Sequence, residues 1–578
     1  MSTERQFTNK QVADTFVTIA DLLEIQGENR FKVLAYRRAA ETINDLGRSL
    51  YAVLEDGTLG DLPGVGDAIT SKIAELLTTG QMSFYEKLVA QVPASLAALL
   101  SVPDMGPKKV RAVWQQLGVT SVPELKAAAE AGKLRDLAGF GAKSEEKILA
   151  GIAALSTRSD RIPLGQALPL AESLLAELRA VPGVVAAEAA GSLRRRRETV
   201  GDIDLLVAAR DSAPVMAAFT GRPDVSRVLG KGEIKSSVEF INGQRAQLWV
   251  HPPERFGTAL QYATGSKNHN VRLRELALAQ GLSLSDQALT RADGTEILCA
   301  TEEAVYELLG LPWIMPELRE DRGEIQAAQQ NRLPQLITAA DITASLHNHS
   351  TWSDGAASIE VMAREALRRG ITVLAITDHS VSLGVANGLS VERLRAQREE
   401  IRAVQATLGD QIWLLQGAEI EIKADGTLDY DDEVLAELDI AIASLHTSLR
   451  QPREQVTQRV INAIRNPHID IIGHPTGRLL PDRPAADLDM DAVLAAAAET
   501  GTALEINSDP HRLDLNDIYA RRAHELSIPL SINTDAHHPD SYDLLPYGIA
   551  IARRAWVEPP HVINTWPKEK LRNWLKGG

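Results

Sequence analysis

From residue 341 onward, short apolar runs alternate with longer amphipathic stretches. ITVLAIT (371–377), LDIAIAS (438–444), IDIIG (469–473) and IPLSIN (528–533) have the length and bias of buried strands, whereas VERLRAQREEIRAVQATL (391–408) spaces its apolar positions as a helix does. Repeated β–α units of this kind predict a parallel sheet, here expected to close into a distorted barrel. The first 160 residues carry a different pattern, present three times: LPGVGDAITSKI (62–73), VPDMGPKKVRAV (102–113) and LAGFGAKSEEKI (137–148). Each is an apolar residue, a turn ending in Gly66, Gly106 or Gly141, and a helix carrying lysine. Between these regions, GSLRRRRETVGDIDLLV (191–207) sets four arginines, Gly201, Asp202 and Asp204 ahead of the apolar run of a buried strand.

At 578 residues the chain exceeds what one core supports, and about three to five domains are expected. No run approaches the roughly 18 apolar residues of a membrane span. The opening MSTERQFTNKQ lacks the apolar stretch of a signal peptide, and a single cysteine, Cys299, rules out an internal disulfide or a Cys-based zinc site. These features predict a cytosolic protein without a membrane partner. The net charge of −16 is unevenly placed: residues 341–578 hold 23 basic and 35 acidic side chains, and the first 340 residues are near neutral. Local basic faces for nucleic acid therefore remain open there. Of 13 histidines, 11 lie at or beyond His347, where a different chemistry begins.

A glycine at a helix start leaves backbone N–H groups free, and that helix end attracts phosphate. Gly64, Gly66, Gly106, Gly139 and Gly141, with Lys108, Lys109 and Lys143, are the candidates at these turns, which resemble helix-hairpin-helix motifs; that resemblance implies a grip on DNA without reading its sequence. In a strand, residues two apart share a face, so Asp202 and Asp204 converge and can hold divalent metal for phosphoryl transfer. Gly191 and Ser192 begin a turn able to hold phosphate oxygens, with arginines nearby for the remaining charge. In the last third, imidazoles and carboxylates follow the apolar runs in one register: His347, His349, Asp354, His379, Glu419, His446, His474, Asp535 and His537. Mixed His and carboxylate ligation suits Zn2+, Mn2+ or Fe2+, and clustered metals can activate a water and clamp a phosphodiester. Arg512, in NSDPHRLDL, is a candidate for a substrate phosphate or for a structural ion pair.

GSLRRRRETVGDIDLLV and YATGSKNHNVRLRELALAQG (262–281) resemble the nucleotidyltransferase core and thumb of family X DNA polymerases, and the nine ligands resemble the trinuclear site of the PHP phosphoesterase family. The chain as a whole is similar to bacterial family X polymerases with a C-terminal PHP (polymerase and histidinol phosphatase) domain. The resemblance implies helical helix-hairpin-helix domains at 1–85 and 86–158, an α+β palm at 159–258, a thumb at 259–320, a linker at 321–340 and an α/β barrel at 341–578. It implies gap-filling synthesis on primed or gapped DNA in base excision repair, with dNTPs as substrates and Mg2+ or Mn2+ at the palm. It also implies 3′–5′ exonuclease or 3′-end trimming with up to three metals in the PHP site. By the same resemblance Gly191, Ser192, Arg195 and Gly201 would hold the triphosphate. Tyr262 and Gly265 would lie against the sugar, and Asn270 and Arg274 near the base and the minor groove. Lys72 sits where a family lysine can form a Schiff base with an abasic sugar, which requires a lowered pKa; the alternative is a lysine that only contacts phosphate.

Two positions depart from the family. Ala263 replaces an aromatic residue after the tyrosine, and Gln247, in GQRAQLWV, stands where the third catalytic aspartate is expected. An amide binds a hard cation weakly and cannot take the primer hydroxyl's proton. Asn242-Gly243 reads as a two-residue hairpin turn, which would place Val238 opposite Gln247 and turn Glu239 to the other face. The expectation is a slow or Mn2+-dependent polymerase. Two alternatives are a 3′-end processing phosphoesterase with a weakened polymerase site, and a non-catalytic scaffold that bridges gap ends.

Overall fold

The computed structural model describes residues 7–102, 104–137, 139–155 and 161–575. The polar start at 1–6 and the expected boundary at 158/159 lie outside the described residues. The chain divides into two compact units, residues 1–159 and 160–578.

The first unit is helical. Asn9–Gln26 begins with a capping box, in which Thr8 accepts from the Gln11 amide and the Gln11 side chain accepts from the Thr8 amide. Val12, Phe16, Ile19 and Leu23 repeat at helical spacing and are buried. They form a core with Val33, Tyr36 and Ile43 of Arg30–Asn44. The three glycine-turn helices are Asp67–Thr79, Pro107–Leu117 and Ala142–Leu155.

The second unit begins with a five-stranded sheet ordered 184–189, 203–209, 245–251, 235–240, 225–231. Only 203–209 and 245–251 run parallel; the other neighbours are antiparallel. Ile203, Leu205 and Val207 pack inward, which leaves Asp204 on the other face. The hairpin before 245–251 differs from the expected one. Phe240 N–H bonds Gln244 O at 2.9 Å and Gly243 N–H bonds Phe240 O at 2.9 Å, so the loop is three residues, Ile241 to Gly243, with Gly243 at φ +80°. One extra loop residue shifts the register by one. Ser237 pairs with Gln247, and Glu239 pairs with Arg245. Glu239 therefore shares the face of Gln247 instead of opposing it.

Helices Phe256–Thr264 and Lys267–Ala279, a small antiparallel sheet and Glu302–Leu308 follow, with Leu273, Leu289, Val305 and Ile314 in their own core. The stretch expected as a linker is packed: Glu324–Gln329 is helical, Glu324 is buried against His269 (2.6 Å), and Ile337 joins the main core. Seven parallel strands then lie side by side in chain order, from Ala344–Ser345 to Leu530–Asn533. Just past their ends, His349 N–H bonds Ala536 O (2.9 Å) and Ala536 N–H bonds His347 O (3.3 Å), so the sheet nearly closes into a barrel. Because all seven strands point one way, their carboxyl ends form a single rim.

Candidate functional site

The three glycine turns share one backbone. Val65, Met105 and Phe140 each donate to a carbonyl three residues back, at 3.0–3.1 Å, and Gly66, Gly106 and Gly141 each accept from two amides of the following helix. Gly64, Asp104 and Gly139 occupy the left-handed region, at φ +76°, +70° and +86°. Gly66 and Gly106 do not need glycine for conformation, with φ −87° and −84°. A Cβ on either would meet nothing within 4 Å. Neither strain nor internal packing explains these glycines, and the space beside them is open to close approach. Lys108 and Lys143 are exposed. Lys109 is turned inward, bonded to Asp104 (2.6 Å) and Ser144 (2.8 Å) over the Phe140 ring, so of the lysines expected to grip DNA it is the one already engaged. Lys72 bonds Ala68 O at 2.7 Å and, like Lys32, lies over Phe84. Partial burial and the Lys32 charge lower its pKa.

In the palm, Asp202 and Asp204 converge as expected. Burial, then the Asp202 charge, push Asp204 up to about 7. A Cβ on Gly191 would lie 2.1 Å from Asp204 Oδ2, which is why the turn there carries glycine. Gln247 pairs with Asp204 across the parallel strands and donates from Nε2 to Asp202 Oδ2 at 2.8 Å. The amide thus occupies one of the two Asp202 carboxylate oxygens. Glu239 is neutralised by Arg245 (3.2 Å) and Arg227 (3.3 Å). A cleft of about 220 Å³ opens here, lined by Asp202, Ser237, Arg245 and Gln247.

The arginine run faces inward more than expected. Arg195 bonds Thr264 O (2.5 Å) and Glu320 (3.1 Å), and Arg194 pairs with Glu302 (2.7 Å). Arg195 thus has Nε and NH1 engaged on the thumb side, while Ser192 is half-buried and Gly201 exposed. Tyr262 is 43% exposed with the Arg274 guanidinium over its ring at 5.3 Å. Asn270 is buried, donating to Tyr262 O (2.8 Å) and accepting from Gln261 (2.8 Å). Gly265, at φ +71°, caps the helix beside Arg195.

All nine rim residues gather. Glu419 lies within 3.6 Å of five imidazoles: His379 (2.9 Å), His474 (2.9 Å), His446 (3.2 Å), His347 (3.4 Å) and His349 (3.6 Å). His349 meets Asp535 at 3.0 Å, and Asp354 lies 3.5 Å from His537 and 3.6 Å from His379. Among the described residues, three groupings of ligand atoms are close enough to share an ion, and all lie in this rim. Both Glu419 oxygens, His347 Nε2, His349 Nδ1, His379 Nδ1 and both His474 nitrogens are buried without a hydrogen bond. Buried polar atoms are normally satisfied, so this set fits cations. Burial, then His379 and His537, hold His349 down to about 3. For His446 burial acts downward, but Glu419 and Glu421 outweigh it and raise it to about 9. His474 (φ +26°) and Asp535 (φ +52°) hold strained backbone, as functional sites often do.

Family models match a helix-hairpin-helix domain at residues 7–82, a SAM-like helix-hairpin-helix tandem at 96–154, a DNA polymerase beta thumb at 259–320 and a PHP domain at 345–509. The chain is 39% identical over 570 residues to the DNA polymerase/3′-5′ exonuclease PolX of Bacillus subtilis (strain 168), covering 98% of this chain and 99% of that protein. The chain belongs to the PolX family. It is also 31% identical over 242 residues to a probable phosphatase of Thermoanaerobacter sp. (strain X514), 40% of this chain and 93% of that protein. DNA polymerase lambda of Rattus norvegicus matches at 26% over 344 residues, 54% of this chain and 56% of that one.

Around the rim of this PolX chain lies a second layer that the sequence reading missed. Glu505 accepts from His347 Nδ1 (2.8 Å) and from the His474 amide (2.6 Å), and Glu421 accepts from His446 Nδ1 (2.8 Å). Asp378 receives Ser350 N–H (2.8 Å), Ser350 Oγ (2.6 Å) and Gln397 (2.5 Å), fixing the loop after His349. Such partners set which ring nitrogen faces a metal. Their signal was present as a carboxylate inside an apolar strand, as in ALEIN and AEIEI. Arg512 lies 3.7 Å from Asp535 Oδ2, and its NH1 is buried without a partner.

Proposed function

We propose that this chain is a family X DNA repair polymerase that fills short gaps from a primer 3′-hydroxyl and trims 3′ ends with its PHP domain. Convergence of nine ligand side chains, with buried unbonded donor atoms, carries the nuclease half. Metals bound there would activate a water and clamp the scissile phosphodiester, with up to three Zn2+, Mn2+ or Fe2+ held by the rim. Within the chain, Glu505 and Glu421 orient His347 and His446, and Arg512 offers NH1 to a phosphate oxygen. The polymerase half rests on Asp202 and Asp204, which would hold Mg2+ or Mn2+ with the nucleotide, while the glycine turns grip DNA irrespective of sequence. Lys72, with its pKa lowered by burial and Lys32, suits an abasic-site lyase; borohydride trapping on an abasic end should yield an adduct that Lys72→Ala lacks. Among the described residues no helix is long and apolar enough to cross a membrane, and we place the enzyme in the bacterial cytosol.

One observation favours a second reading, a 3′-processing phosphoesterase that keeps the palm only to hold primer ends: Gln247 already occupies Asp202. The complete set of nine ligand side chains at the rim opposes a purely scaffolding role. The test is a gapped duplex with a 5′-labelled primer and Mn2+, with and without dNTPs, beside the Asp202→Ala, Asp204→Ala double variant. Extension that the double variant loses supports the dual enzyme. Shortening alone, equal in both proteins, leaves only the phosphoesterase.

A further inference from the structure

The loop that carries the four palm arginines ends in Glu198, which reaches the barrel. Its Oε2 pairs with Arg478 NH2 at 2.7 Å. Glu198 itself is fixed, because its carbonyl accepts from Leu164 N–H at 2.9 Å. Arg478 is 8% exposed and also donates to the backbone of 512–513: Nε to Arg512 O at 2.9 Å, and NH2 to Leu513 O. This segment presents Arg512 to Asp535. It is also strained, with Leu513 at φ +46°, and strained backbone persists only when its surroundings hold it. Gly165 of the palm supports the same segment, since a Cβ there would lie 2.4 Å from Pro510 Cβ. Of the other carboxylates near Arg478, Asp514 accepts Thr476 N–H and Oγ1 on Oδ2, each at 2.9 Å, and keeps Oδ1 buried and unbonded, while Asp517 pairs with Arg322 (2.9 Å) and Arg554 (2.8 Å). Among the described residues Glu198 is the carboxylate within ion-pair distance of Arg478.

We propose that Glu198, a palm residue, is a positioning residue for the nuclease: through Arg478 it fixes the backbone that aims the Arg512 guanidinium at a substrate phosphate beside Asp535. This rests on the reading of the barrel as a 3′-end nuclease with Arg512 as its phosphate holder. It makes the polymerase palm a support of the nuclease's binding site, although among the described residues the ligand groupings of the rim contain no palm side chain.

The test is a double-mutant cycle on the full chain, with a 5′-labelled single strand and Mn2+, measuring KM, kcat and bound metal. Arg512→Ala and Glu198→Ala are each expected to raise KM about tenfold, in the range seen for coupled neighbours, with kcat within about twofold and metal content unchanged. In the Arg512→Ala background, Glu198→Ala should add nothing. Glu198→Gln, which keeps the shape and removes the charge, should give a smaller rise in KM. The proposal is overturned if Glu198→Ala leaves KM alone while Arg512→Ala raises it, if the two effects multiply, or if metal is lost. A parent enzyme that trims nothing would instead overturn the nuclease reading, and the relay with it.

Discussion

Replacing Gln247 with aspartate adds a third carboxylate to a face that already carries Asp202 and Asp204. Position 247 pairs with Asp204 on a neighbouring parallel strand and touches Asp202 Oδ2 at 2.8 Å. With strands about 4.8 Å apart, the new charge would lie about 5 Å from its neighbours. At an effective dielectric of about 20, one like-charge pair at that distance costs about 3 kcal/mol. In chelator the variant should therefore melt below the parent, and Asp204, already at about 7, should rise further. A divalent cation reverses the sign: the same charges now attract it, Asp202 Oδ2 is released from the amide, and a proton acceptor stands near the primer hydroxyl. A positioned general base contributes about 10²–10⁴ in rate; because aspartate is one methylene shorter than glutamine, we expect a gain below that range or at its foot, about 10- to 100-fold. The assay is single-turnover extension across a one-nucleotide gap in Mg2+ and in Mn2+, with the Asp202, Asp204 double-alanine protein as blank. Mg2+ should gain more than Mn2+. A rate within twofold of the parent in both ions, from a folded variant, would refute the idea that Gln247 limits the chemistry.

Gly106→Ala should change stability by less than about 1 kcal/mol, because its Cβ meets nothing and φ is unstrained, yet weaken binding to DNA of any sequence; unfolding curves and fluorescence anisotropy separate the two effects. Glu505→Gln removes the carboxylate that orients His347 and should cut metal retention or trimming about 10- to 100-fold, measured by metal content after dialysis. Burial alone would raise Glu302, but Arg319 and Arg194 outweigh it and hold it at about 2. Its stabilisation is thus present above the ordinary carboxylate pKa and lost as pH falls toward 2. At pH 7, Glu302→Gln should cost about 3 kcal/mol or more, a gap that narrows below about pH 4.5 in urea titrations of the full chain.

What the chain decides locally was legible in it. Most of the nine ligands follow apolar runs, with Glu419 near the end of its strand, and parallel strands bring their ends to one rim whatever their order, so spacing alone gathered His347, Glu419 and Asp535. The glycine turns were equally readable, because their geometry is set within five residues. Tertiary structure decided what depends on partners far along the chain. The arginine run reads as a phosphate grip, but buried carboxylates at 302 and 320 claim Arg194 and Arg195, since a buried cation must be paired. The palm hairpin slipped by one because Gly243 could take a positive φ and lengthen the loop, a choice the dipeptide Asn-Gly leaves open. The stretch at 321–340 looked like a tether until His269 supplied a partner for Glu324. Glu505 and Glu421 hid inside apolar strands, because a carboxylate there is explained only by the histidine it meets once the barrel has formed.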